Sequence, residues 1–436
     1  MKRILLALSA LASGFSVMAA KAPAASAQEA GNWRFGGDAR VRYETLDNAF
    51  RAGRSGSDQL LSWRIRLRGE ADAGPLTFGG EFLDARGWLN DEGSFLSPSL
   101  VNTAELFQAY IKLPLGVRGE LQLGRFTMTI GSGRLVNESG FTNSPNNFEG
   151  ARARYALTDR WMLETFFTVP VERRPSDRRA LLNNTAQIDK GDYDRRLWGV
   201  HATRAELPGN VQAEAYLVGL NEDGGAGIFT PGLRLMRSPA QGVFDFDIEA
   251  MYQFGEVETV AGDFDVRAGA IYAEAGYTFA APWRPRLSAR LIYASGDRDP
   301  ADARLNRFNR LFGLRRGEFG HTSIFGPLDR ENIVAPAIRL ELQKGPVRFD
   351  MRAQEVYLAS STDRLRQAGL RDVTGGSGRH VGQHLDARVR WRPGQGAVEL
   401  EAGMAALFKG RFAEEAPNAP DEGDSLFSYV MISRSF

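Results

Sequence analysis

Residues 244–254 read Phe-Asp-Phe-Asp-Ile-Glu-Ala-Met-Tyr-Gln-Phe. In an extended backbone, where successive side chains point to opposite sides, Phe244, Phe246, Ile248, Ala250, Tyr252 and Phe254 share one face, and Asp245, Asp247, Glu249, Met251 and Gln253 the other. The period of two excludes a helix here. The pattern recurs: Val41 and Tyr43 oppose Arg40, Arg42 and Glu44, while Leu61, Trp63, Ile65 and Leu67 oppose Arg64, Arg66 and Arg68. Leu287, Ala289, Leu291 and Tyr293 oppose Arg286, Ser288 and Arg290, and Val347, Phe349 and Met351 oppose Arg348, Asp350 and Arg352. Further on, Val381, Leu385, Val389 and Trp391 oppose His380, His384, Asp386, Arg388 and Arg390. Eighteen strands are predicted, starting near residues 34, 60, 76, 104, 118, 147, 160, 194, 210, 229, 243, 265, 284, 333, 346, 380, 396 and 424.

A two-layer sandwich would alternate as well, so the connections have to discriminate. Every second one is short and usually holds Pro or Gly: Gly74-Pro75, Pro114-Leu115-Gly116, Thr158-Asp159-Arg160, Pro208-Gly209, Pro239, Ala281-Pro282, Gly345-Pro346 and Pro393-Gly394. The others are mostly long, at 46–59, 87–103, 128–146, 171–193, 221–228, 255–264, 296–332, 358–379 and 409–423. Tight turns at one end and extended loops at the other predict an all-β fold, a closed antiparallel transmembrane barrel with periplasmic turns and extracellular loops. The first 27 residues support export: Met1-Lys2-Arg3, an apolar stretch from Ile4, then Ala25-Ser26-Ala27 before Gln28, the pattern of a cleaved signal peptide. That divides the chain into a signal peptide at 1–27 and one barrel domain at 28–436, placed in the bacterial outer membrane. The final segment ends on Phe436 with Ile432 and Val430 on its face, resembling the C-terminal recognition signal of such barrels.

Composition fixes which face looks inward. Six Lys among 54 basic residues leave 48 Arg, against 53 acidic residues, for a net charge of +1. Near-neutrality argues against a nucleic-acid partner. An Arg at the bilayer midplane of a barrel exterior costs about 2–4 kcal/mol, so the charged faces must line the lumen. An 18-stranded barrel is wide enough to leave an aqueous path. Its wall arginines either pair with acids such as Asp38, Glu70, Asp245, Glu249 and Asp350 or, taken as a set, select an anionic solute; Arg suits carboxylates through its planar donor fork.

Residues 123–136, LGRFTMTIGSGRLV, precede NNFEGARARY at 146–155. Through Gly124, Arg125, Gly131, Gly133, Arg134, Leu135, Phe148, Glu149, Gly150 and Arg152 the chain resembles the alginate export family of outer-membrane porins, and RFNRLFGLRRGEFGHTSIFG at 307–326 adds to the resemblance. The resemblance implies an 18-stranded conduit for an acidic polysaccharide or oligosaccharide, with Arg125, Arg134 and Arg152 on the path. Strand phase adds Arg40, Arg42, Arg64, Arg66, Arg154, Arg348, Arg352, Arg388 and Arg390. Several spaced, individually weak cationic sites would guide a polyanion without trapping it.

The loop segment Arg304–Arg316 holds Arg304, Arg307, Arg310, Arg315 and Arg316 and no acid, with Leu305, Phe308, Leu311 and Phe312 at helical spacing. A short amphipathic helix over the mouth is one expectation; a surface loop held by lipopolysaccharide phosphates or nearby acids is the other. All periplasmic turns being short, any gate is expected from the outer loops. His380 and His384 share a predicted face, but four strand residues set them about 13 Å apart, too far for one metal ion. No cofactor, metal or catalytic residue is expected. The readings left open are a polysaccharide conduit, a porin for small anions or oligosaccharides, and a barrel hydrolase. Expected partners are the acidic saccharide, outer-membrane lipid and lipopolysaccharide, and periplasmic secretion proteins, with the barrel itself a monomer.

Overall fold

A computed structural model describes residues 28–436 apart from 31, 92, 261, 300 and 395. The predicted signal peptide lies outside the described residues. Eighteen long strands form the wall. They are β1 (Trp33–Asp47), β2 (Asp58–Ala73), β3 (Leu76–Trp88), β4 (Asn102–Leu115), β5 (Gly119–Phe126) and β6 (Phe148–Thr158). Next come β7 (Trp161–Glu172), β8 (Arg195–Leu207), β9 (Val211–Glu222), β10 (Ala226–Arg237), β11 (Phe244–Thr259) and β12 (Gly262–Thr278). The last six are β13 (Arg286–Ala294), β14 (Ile333–Lys344), β15 (Val347–Tyr357), β16 (His380–Trp391), β17 (Val398–Lys409) and β18 (Ser425–Ser435). Each pairs antiparallel with its neighbours in sequence, and β18 returns to β1 from Asp38↔Ser435 to Asp47↔Leu426. Closure removes the edge that lipid could not solvate.

Alternation carries through to burial in the inverted sense of a membrane barrel. Leu106, Phe167, Leu233 and Ile338 are more than half exposed, whereas Arg40, Arg42, Glu44 and Arg64 are buried. Exposed aromatics gather at the periplasmic ends (Trp33, Phe35, Trp161, Phe244, Trp283, Trp391) and at the outer ends (Trp88, Tyr252, Tyr357), the girdles that sit at lipid headgroups.

Two expected outer loops are shorter than the sequence implied: residues 223–225 and 260–261 suffice between β9 and β10 and between β11 and β12. Strands β11 and β12 keep pairing as far as Thr259↔Gly262 through Glu256, Glu258, Asp263 and Asp265. Backbone pairing needs no apolar side chains once a hairpin rises above the lipid, so the polar ends extend the strands.

The inward face changes character with height. On β13, inward Arg286, Ser288 and Arg290 give way to Ile292 and Ala294; on β12, Glu274 gives way to Ala270, Ala268 and Val266. The outer half is filled by loops whose Phe50, Phe308, Phe325, Leu328, Leu365, Leu370 and Phe412 are almost fully buried with Phe126, Phe148 and Ile333. Charge therefore lines the lower lumen, and an apolar core packs the upper.

Candidate functional site

Two outer loops, the third (residues 127–147) and the seventh (295–332), descend between these regions and are zipped together. The Phe312 amide donates to the Leu135 carbonyl at 2.9 Å, Leu314 to Gly133 at 2.9 Å, and Asn137 to Phe312 at 3.2 Å. The third loop turns at Gly131 and Gly133, whose φ of +52° and +74° suits glycine. Gly313 permits the close approach, because a Cβ there would lie 1.8 Å from the Arg134 carbonyl oxygen.

Arg134 fastens this partition to the wall. Its guanidinium meets Asp247 at 2.8 Å and Glu249 at 2.5 Å on β11, and Glu318 of the seventh loop at 2.6 Å, with its Cζ 3.4 Å from the centroid of the Tyr272 ring. Burial works against its charge, but Glu249 and Asp247 outweigh that and hold its pKa above the ordinary value. Fully buried Arg330, which the sequence did not single out, donates to the Arg134 carbonyl at 2.8 Å and pairs with Glu318. Its surface-like loop sequence carries no sign of this role. His321 of the same loop lies 4.9 Å from the Tyr429 ring, and burial pushes its imidazole down to about 4.

The tip of the third loop rests on β1 and β2. Arg40 donates to the carbonyls of Gly140 (3.3 Å) and Thr142 (3.0 Å) and to Asn143 Oδ1 (3.0 Å), and Arg64 donates to the same two carbonyls at 3.0 Å each. Arg42 donates to the Phe141 carbonyl at 2.9 Å and pairs with Glu44, while Asp38 takes Arg64 at 2.9 Å and Arg66 at 2.6 Å. On β15 and β16 Arg352 grips Asp386 at 2.9 Å, and it donates to the Glu318 carbonyl at 2.6 Å. Arg348, Arg388 and Arg390 have looser partners, Glu341 at 3.8 Å, Asp350 at 3.9 Å and Glu401 at 3.8 Å. Arg152 faces inward against Glu164. The exposed side chain of Arg154 makes no hydrogen bond or ion pair among the described residues.

Several expectations need correction. Arg125 shares strand phase with exposed Leu123 rather than with buried Gln122 and Phe126, and it clamps the outer rim through Glu105 (2.7 Å), Glu149 (2.6 Å) and the Asp189 carbonyl (3.2 Å). No amphipathic helix spans Arg304–Arg316: Arg304 and Leu305 pair with β12, the stretch after them is irregular, and one helical turn begins only at Arg316. A helix of so few residues is marginal by itself, and backbone pairing with the third loop replaces it. Acids and carbonyls of other segments meet it in space. Arg307 meets Asp363 at 2.8 Å, Arg310 meets Asp329 at 3.3 Å and Arg316 meets Glu401 at 2.5 Å, while Arg315 donates to the Gly326 carbonyl at 2.5 Å; Arg304 alone of the five is exposed.

His380 does not share the face of His384. A bulge at Gly382 shifts the register from Val356↔Gly382 to Tyr357↔His380, so Val381 turns inward and His380 turns out towards Glu355 at 3.2 Å. His384 is fully buried with neither ring nitrogen hydrogen-bonded among the described residues. Inward-facing Arg68, Arg234, Arg286, Arg290 and Arg339 complete the lumen. Strand phase already puts Arg68, Arg286 and Arg290 on the charged face, though the expected path does not name them. Near the periplasmic turns, a cavity of about 410 Å³ is bordered by Asp245, Asp247, Glu274, Arg286, Arg339 and Arg348 among others.

Residues 32–422 match the family described as alginate export. No curated protein sequence matches the chain. Among solved structures, Pseudomonas aeruginosa OccK9 (OpdG) superposes with a TM-score of 0.63 at 13% identity, covering 93% of this chain and 98% of that one. Acinetobacter baumannii OccAB3 gives 0.62 at 13% identity over 93% and 99%, and P. aeruginosa OpdK, solved with vanillate, gives 0.61 at 10% identity over 92% and 98%. At such identities these neighbours establish the fold. With the apolar outer band and the family match, the chain is a bacterial outer-membrane β-barrel, a channel of the porin type.

Proposed function

Since this chain belongs to the alginate export family, we propose that it is a passive, non-enzymatic channel guiding an acidic, alginate-like polysaccharide or its oligosaccharides along lumenal arginines. One observation carries the reading: the wall sets arginine directly opposite arginine at Arg40↔Arg64, Arg339↔Arg352 and Arg348↔Arg390. Like charges in register destabilise a sheet. A wall built for stability alone would repeat the Arg234↔Glu249 and Arg286↔Glu341 pairings found elsewhere in it. Retained cation pairs instead favour carboxylates, each weakly enough to release them. The loose partners of Arg348, Arg388 and Arg390, and the Arg154 side chain that has no partner among the described residues, fit such a path.

A second reading, a porin for small carboxylates, draws on the zipped partition, which leaves a polymer less room than a monomer. The neighbour solved with vanillate, itself a carboxylate, is compatible with it. Planar-bilayer recording tests both. Anion-selective current that polyuronate blocks is the expected result, and Arg348→Glu with Arg390→Glu should shift selectivity several-fold towards cations. Anion selectivity with indifference to polyuronate favours the second reading. Cation-selective current in the unaltered chain overturns both.

A further inference from the structure

Arg40, Arg42 and Arg64 are each 5% exposed or less, yet their shared partners on the third loop are neutral carbonyls rather than acids. The loop segment that supplies them, Ser139-Gly140-Phe141-Thr142-Asn143, has no charged residue. Gly140 and Thr142 each accept from both members of the like-charged pair Arg40↔Arg64. Phe141 lies 4.3 Å from the Arg42 guanidinium and 3.6 Å from that of Arg316. Three guanidiniums thus converge on one segment, with Asp38 and Glu44 their only ion-pair partners among the described residues. The Nε groups of Arg40 and Arg64 are buried without a hydrogen-bond acceptor among the described residues.

Arginine pairs with a carboxylate through two parallel N–H···O bonds and a full opposite charge, whereas each loop carbonyl offers a single neutral oxygen. We propose that residues 140–142 form an internal stand-in for a carboxylate: the tip occupies an anion site made by Arg40, Arg42 and Arg64 and is displaced when a carboxylated solute enters. The cargo then opens its own path by competing with the tip. This rests on the reading of the lumen as a carboxylate path, and concerns what triggers opening rather than what passes.

The chain has no Cys, so Ser139→Cys introduces a single reporter beside the tip. The full chain in lipid vesicles would be treated with an uncharged thiol reagent in glucuronate or in chloride at equal ionic strength. Glucuronate is expected to raise the modification rate of the introduced thiol about ten-fold, glucose not at all, and Arg40→Gln with Arg64→Gln should abolish the anion response. An equal rate in glucuronate and chloride overturns the proposal, and needs no arginine variant that could fail to fold. Polyuronate current, recorded in parallel, separates the two ideas. Block without a rate change leaves the conduit and removes the trigger; a rate change without block leaves the trigger and removes the polymer.

Discussion

At the scale of single residues, burial decides which arginines are structural. Arg134 is 5% exposed and touches three carboxylates on two different elements. Removing one partner of a buried ionic cluster typically costs about 3–5 kcal/mol, because the remaining charges stay desolvated and unmatched. Arg134→Met is therefore expected to release the partition from β11 before the barrel itself fails. Single-channel recording should show larger and noisier conductance than the unaltered chain, and unchanged conductance would deny Arg134 its fastening role. The contrast is Arg154, whose exposed side chain pairs with no acid among the described residues.

Elements depend on a few backbone positions that no side-chain pattern reports. Gly382 has φ of +139°, and an added Cβ would lie 2.0 Å from the Phe408 carbonyl oxygen. The bulge it permits turns Val381 into the apolar packing of the upper barrel and leaves His384 and Asp386 correctly phased below. Gly382→Ala should strain or reset this register, lowering the temperature at which the barrel loses its compact electrophoretic form in detergent by several degrees. A variant melting with the parent would mean the bulge survives without glycine. The same scale explains what was legible. Strand starts fell within three residues of the observed ones because alternation and turn residues are local. The helix that was one of two expectations for Arg304–Arg316 is absent because Phe308, Leu311 and Phe312 pack against another loop, and their spacing alone cannot tell a helical face from irregular chain pressed into a core.

For the whole molecule, closure is the governing fact. The last residue seals the seam: Gly37 donates to the Phe436 carbonyl at 2.8 Å, and the Phe436 amide donates back at 3.1 Å. Its ring occupies space that a side chain at Gly37 would take, within 2.8 Å of where that Cβ would stand. Deleting Phe436 removes both bonds and the ring from a lipid-facing seam, so a smaller folded, heat-modifiable fraction is expected on refolding into vesicles. An undiminished folded fraction would show that the rest of the β1–β18 ladder closes the barrel alone.

The sequence by itself determined the eighteen strands, which face meets lipid along nearly all of each strand, which connections are the periplasmic turns, and that most arginines face inward, since all of these follow from a two-residue period and the cost of charge in hydrocarbon. Tertiary structure decided what those arginines touch. Whether Arg40 meets water, a carboxylate or the Gly140 carbonyl depends on where a loop about a hundred residues away comes to rest. That position comes from zipping two loops across the lumen and filling the upper barrel with their apolar side chains. Contacts of this kind join segments far apart in the chain, so no local period encodes them.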